Sequence, residues 1–276
     1  MTGRRIAGAA LRAGAVALLV ALPQMLLGSP GGSAQLSLLV ALFAAGFVFS
    51  EYAAEAPSLV EFRDARPYNR LRATVLGLML LAGCLAFRPD LAGAPPVAAL
   101  RSLGDLWARL VDLPWSPLHL LLGGLGPAVP PGLHATVAAF AATAYGLSLL
   151  MVLTFAVALR GSRWPGQAAF NVWVNLPQFD PTSGGDVVQR LHQNALVNVA
   201  LGLLLPMIVP IVADPLGMAF DGPHLRDPAA LVWVVAAWAF VPASLAMRGL
   251  ALHRLALMIA AHRARMRRAH GWPQPA

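Results

Sequence analysis

From Ala13 to Ser50 the chain carries no charged side chain. At about 20 residues per crossing, an uncharged run of this length matches two membrane-spanning helices. Ser29-Pro30-Gly31-Gly32-Ser33 supplies the turn between them, because Pro and Gly interrupt regular structure. The two spans are predicted at 13–28 and 34–50. Arg4, Arg5 and Arg12 ahead of the run, with Ala34 behind it, also fit a cleaved secretory leader. An uncleaved first span is the preferred reading, and the rest of the topology is the same either way.

Four further apolar runs follow, at 71–87, 135–159, 195–212 and 229–247. The fold class is therefore all-α, a polytopic membrane bundle of about six helices in a single domain, 1–276. Composition agrees. Only 12% of the residues are charged and 58% are hydrophobic, whereas soluble domains carry about 25% charged residues. Arg72 and Arg88 are expected to snorkel from the ends of the short third span. Pro206 and Pro210 each remove a backbone donor and predict kinks in the fifth.

The longest loop, 89–133, contains an amphipathic stretch at 97–113. Leu100, Leu103, Trp107 and Leu110 share one face, and Arg101, Asp105, Arg109 and Asp112 another. It is predicted to lie on the membrane surface. The run at 118–125 is too short to cross and reads as interfacial. The tail, 248–276, is a basic helix extending from the last span, whose Leu250, Leu255, Met258 and Ile259 can rest on acyl chains while its arginines meet anionic headgroups.

Arginine placement gives the orientation. Loops on the N-terminal side hold 16 of the 20 basic residues: Arg4, Arg5, Arg12, Arg63, Arg66, Arg70, Arg72, Arg160, Arg163, Arg190, Arg248, Arg254, Arg263, Arg265, Arg267 and Arg268. The other side holds Arg88, Arg101, Arg109 and Arg226. The positive-inside rule then puts both termini in the cytoplasm and the amphipathic helix in the periplasm of a bacterial inner membrane. All basic residues other than His are arginine, which fits a GC-rich genome. The net charge of +8 is spread around spans and forms no stripe on a soluble domain, so a nucleic-acid partner is not expected. The single cysteine, Cys84, excludes an internal disulfide or a cysteine-ligated metal cluster.

Two polar segments on the cytoplasmic side are the candidates for function. In the first, Glu51 and Glu55 are one helical turn apart where the second span leaves the bilayer. Arg63, Asp64, Asn69 and Arg70 follow. This is either an acid/base pair beside an arginine cluster for a lipid phosphate or a solvated loop with internal ion pairs. The second segment carries Asn171, Trp173, Asn175, Gln178, Asp180, Asp186, His192, Asn194 and Asn198. Its amides read as a polar pocket at the bundle mouth or as interhelical hydrogen bonds. Both segments follow helices that exit on the same side, so they are expected to meet. Glu51, Glu55 and His192 would then form a mixed site. His119 and His134 read as interfacial, and Thr143 and Tyr145 as bonding to neighbouring helices.

No Walker, HExxH, GxSxG or GxGxxG motif is present, and nothing identifies a cofactor. Mid-depth ionisable groups, expected in an ion-coupled pump, are missing from the spans. The function expected is a non-catalytic subunit or assembly factor of a membrane complex. Its partners would be anionic lipid headgroups and other membrane proteins. A small-solute permease, or an enzyme acting on a lipid-linked substrate at the cytoplasmic leaflet, stands as the alternative.

Overall fold

Hydrocarbon offers a peptide group no hydrogen-bond partner, so a chain this apolar can cross it only as helices or as a closed barrel. The computed structural model takes the first route: among the described residues there is no strand. Those residues are 3–28, 33–125, 129–161, 164, 175–180, 184–213 and 227–269. Asn171, Trp173, Arg163, Arg226, the turn at 29–32 and the last seven residues of the tail lie outside them.

The helices are α1 (Gly3–Leu27), α2 (Ser33–Ala53), α3 (Tyr68–Ala86), α4 (Pro95–Val111), α5 (Pro117–Gly123), α6 (Pro131–Gly161), α7 (Val187–Ala213) and α8 (Pro228–Ala269). All except α4 and α5 are long and apolar enough to span a membrane. The protein is thus a membrane-embedded, multi-pass helical bundle. α1 begins well before the predicted 13, so Arg4, Arg5 and Arg12 ride on the helix itself. Much apolar surface has no partner in the chain. Phe43 is 73% exposed and Leu196 71%, as side chains facing lipid should be.

α8 is the hub, with α1, α3, α6 and α7 packed on it. α7 approaches to backbone contact. A Cβ on Gly202 would stand 2.7 Å from the Pro242 carbonyl, and one on Gly249 2.7 Å from the Ala195 carbonyl. Small residues permit that approach, and van der Waals contact supplies the attraction that the hydrophobic effect cannot supply in lipid. α3 and α6 meet with Gly83 against the Phe140 ring.

Both prolines predicted to kink the fifth span sit inside an uninterrupted α7. Pro210 has no N–H for the carbonyl of Pro206, four residues earlier. The indole Nε1 of Trp238 donates to that carbonyl at 2.9 Å, so a side chain of the neighbouring helix replaces the missing intrahelical bond.

Two expectations change. The helix at 97–113 is docked, with Gly104 on Ala139 and Thr143 of α6 and Trp107 over Gly146. Three faces at successive 100° steps explain this. Val97, Gly104 and Ala108 meet the bundle, Leu103, Leu106 and Leu110 stay exposed, and Asp105 and Arg109 point to the polar side. The basic tail continues the last span, as expected, but one side of it packs on the bundle where acyl chains were expected. α8 runs 42 residues without a break, about 63 Å and twice the ~30 Å hydrocarbon core. Ala251, Leu252, Leu255 and Ala256 are buried in the protein, so Leu255 is a core residue. The run at 118–125 forms α5, only seven residues long, tucked against α6 and α7.

Trp238→Phe should lower unfolding stability in detergent by about 1 kcal/mol, the value of one interhelical hydrogen bond. Gly249→Val should cost several times more, because its side chain collides with the backbone of α7. Denaturation followed by circular dichroism measures both, and equal stability of the two variants would refute the assignment.

Candidate functional site

The two polar segments meet at the face where α1 begins and α8 ends. The Phe62 N–H donates to the Asn175 carbonyl at 2.7 Å. Beneath that bond the rings of Phe62, Tyr68, Phe155 and Trp164 stack edge to face or tilted, with neighbouring centroids 4.7–5.6 Å apart. Phe62 holds a left-handed φ of +52°. A non-glycine residue adopts that conformation at a cost of about 1–2 kcal/mol. Full burial of its ring and the bond to Asn175 hold it there.

Glu51 organises the first segment. Its carboxylate is buried and accepts from the backbone N–H groups of Ser58, Leu59 and Val60 at 2.9–3.1 Å, and from the Ser58 hydroxyl. The chain is thereby folded back over the end of α2. Arg63 answers from the other side. Its guanidinium donates to the carbonyls of Glu51, Ala54 and Glu55 at 2.9–3.1 Å, and Arg5 adds a second bond to Ala54. The last carbonyls of a helix lack intrahelical donors and carry partial negative charge, so two arginines there are well placed. Asp64 pairs with Arg63 at 3.6 Å. Asn69 donates to the Glu61 carbonyl at 2.8 Å, and the Glu61 carboxylate holds Arg248 of α8 in a two-bond fork at 2.6 and 2.7 Å.

These contacts frame a cavity of about 1310 Å³ between the α1–α2 hairpin and the α3–α8 body. Arg4, Arg5, Arg12, Arg63, Arg66, Arg70, Arg72 and Arg248 line it, against the carboxylates of Glu61 and Asp64. Tyr52, Tyr68, Gln178 and Ser244 complete the polar lining, and Val16, Leu19, Val241 and Leu245 form an apolar wall. Arg72 does not snorkel outward. α3 starts at Tyr68, so Arg72 lies one turn inside the helix and faces α8. It bonds Ser244 at 3.3 Å and Asn69 at 3.4 Å, with its guanidinium over the Tyr68 and Phe240 rings.

The mixed carboxylate–histidine site is not formed. α2 ends at Ala53, so Glu55 lies past the helix and is exposed, while Glu51 turns inward. His192 pairs across the α7–α8 hairpin with His253, Nδ1 to Nδ1 3.2 Å. Among the described residues no three His, Cys, Asp or Glu side chains converge as metal ligands. The Asn198 amide donates to the Asn194 carbonyl of its own helix at 2.7 Å, where an interhelical bond was expected. Asn175 is buried, and Asp180 accepts through its carbonyl from Arg190 at 3.0 Å. Asp112 pairs with His119, and Thr143 bonds back to Ala139 within α6.

Of the candidate residues, Arg63, Asp64, Asn69 and Arg70 line the cavity, with Glu51 and Glu55 at its frame. Asn175, through the bond to Phe62, supports its floor. Asp180, His192, Asn194 and Asn198 do not line it. Sequence reasoning left out Arg4, Arg5, Arg12 and Arg248, which looked like span-flanking charges. No family model, curated protein or solved structure matches the chain.

Glu51→Gln replaces one acceptor oxygen with an amide donor facing backbone N–H groups. Loss of charge-assisted bonds of this kind should cost about 2–3 kcal/mol. Trypsin should then cut after Arg63 much faster while helix content holds. Unchanged cleavage would show that the carboxylate does not anchor the loop.

Proposed function

We propose that the chain is a multi-pass protein of a bacterial inner membrane, with both termini cytoplasmic, that binds a phosphate-bearing anionic lipid headgroup in the arginine-lined cavity. In this reading it works without catalysis, as a subunit or assembly factor of a membrane complex. The observation that carries the proposal is the charge balance of one cavity: eight arginines against two carboxylates. Guanidinium groups bind phosphate oxygens through paired N–H donors, and a site at the membrane boundary strengthens such bonds by partial exclusion of water. The orientation rests on the 16-to-4 arginine split.

A binding role is favoured over an enzymatic one because the carboxylates that could move protons are in use. Glu61 is forked to Arg248, Asp64 is paired with Arg63, and Glu51 is saturated by the loop it folds. The permease alternative needs a polar path through the bundle. Between α3, α6 and α8 that route is filled by fully buried Met79, Leu80, Ala141, Val235 and Ala236.

After delipidation, the purified protein should retain phosphatidylglycerol in preference to phosphatidylcholine when both are offered in mixed micelles and read by native mass spectrometry. Replacing Arg4, Arg66 and Arg70 together by Gln should abolish the preference. Equal retention of both lipids by the unaltered protein would overturn the proposal. A reporter fused to the C-terminus should be active only in its cytoplasmic form.

A further inference from the structure

The lipid-binding reading treats the cavity as a generic anion site, but its arginines are arranged in two tiers. Arg4, Arg66 and Arg70 form the outer tier; the described residues give their side chains no hydrogen bond or ion pair. Arg12 of α1 and Arg72 of α3 form the inner tier. Arg12 lies over the Tyr52 ring with its carbon 4.9 Å from the centroid and bonds the Gly8 carbonyl. Arg72 is seated on Tyr68 and Phe240 at 5.4 and 5.8 Å. Arg12, Tyr52 and Arg72 line the same cavity. Among the described residues neither inner arginine pairs with a carboxylate, so no counter-ion offsets its charge. An aromatic ring against one face of each guanidinium leaves the N–H edge for an anion.

Beyond the inner tier the lining changes character along both helices. On α1, Val16 and Leu19 follow Arg12 in the direction away from the arginine-bearing face. On α8, Leu245 and Val241 lie in that same direction from Arg248. The site is therefore amphiphilic, with cations at one end and an apolar wall about one to two helical turns deep at the other. A free anion would leave that wall unused.

Resting on the lipid-binding reading, we infer that the ligand class is a lipid phosphomonoester or diphosphate, held with its phosphate between Arg12 and Arg72 and its chain along α1 and α8. A phosphodiester brings a single negative charge. A phosphomonoester carries about −1.5 to −2 near neutral pH and presents three strong acceptor oxygens, which suits two guanidinium groups in one cavity.

The test compares four probes on the full-length protein in nanodiscs or detergent: phosphatidic acid, phosphatidylglycerol, phosphatidylcholine and inorganic pyrophosphate. Phosphatidic acid should bind at least about tenfold more tightly than phosphatidylglycerol, a difference near 1.4 kcal/mol. Arg12→Gln with Arg72→Gln should reduce that ratio to about one while phosphatidylglycerol still exceeds phosphatidylcholine. Should this variant not fold, Arg12→Lys with Arg72→Lys keeps the charge but removes the fork, and should lower the ratio severalfold. Equal binding of the two anionic lipids overturns this inference and leaves the lipid-binding proposal intact. Pyrophosphate binding as tightly as phosphatidic acid overturns the lipid source in favour of a soluble phosphate. No preference among the four overturns both readings.

Discussion

Backbone contact between α7 and α8 is the interaction on which the rest of the bundle depends. In lipid, burying one apolar side chain against another gains little, because the acyl chains are equally apolar. What remains is close packing and the satisfaction of polar groups. Gly202 and Gly249 let two long helices touch along both halves of the hairpin, and Trp238 supplies the donor that Pro210 removed from α7. α8 thereby becomes a fixed rod against which α3 and α6 settle. α1 and α2 do not reach this depth of contact. Their shared hairpin joins α3 and α8 less closely, and the space left at one end is the cavity.

That cavity is electrostatically expensive to keep. Like charges a few ångströms apart repel, and at the edge of a low-dielectric region water screens them poorly. The chain blunts the cost without neutralising the charge. Arg5, Arg12 and Arg72 meet helix carbonyls, hydroxyls, amides and aromatic faces, all of them neutral. Had the arginines served only as topological anchors, exposed positions facing water would have sufficed. Turning Arg72 inward toward Ser244 instead keeps a cation where an anion can reach it from the membrane side.

The helices were legible in the sequence because hydrocarbon imposes a simple rule on length and charge. The lengths of the helices outside the bilayer were not, and α8 shows why. Its basic half was read as resting on acyl chains, yet Leu252 and Leu255 continue the same buried stripe past Arg248. Periodicity across that charge was the usable signal. The loop at 54–67 is anchored by Glu51 of α2, but nothing in local spacing says that Glu51 will accept from residues seven to nine positions later. A helical reading paired it with Glu55 instead. Arg63, Asp64, Asn69 and Arg70 were found because they cluster in sequence. Arg4, Arg5, Arg12 and Arg248 were missed because α1 and α8, which carry them, meet the loop only when the helices are packed.

The same distinction bears on how the site can act. Glu51 and Arg63 tie the loop to the end of α2, while the Glu61–Arg248 fork ties that loop to α8. The loop is therefore bonded to both walls of the cavity. An anion drawn between Arg12 and Arg72 would pull α1 toward α3, and the loop would transmit that movement to the basic half of α8. A differential effect of this kind requires that ligand bind one spacing of the walls better than another. Under the proposed binding, the neutral partners of the inner arginines would be the source of such a difference: Gly8, Asn69 and Ser244 hold them through weaker bonds than the Glu61 carboxylate holds Arg248.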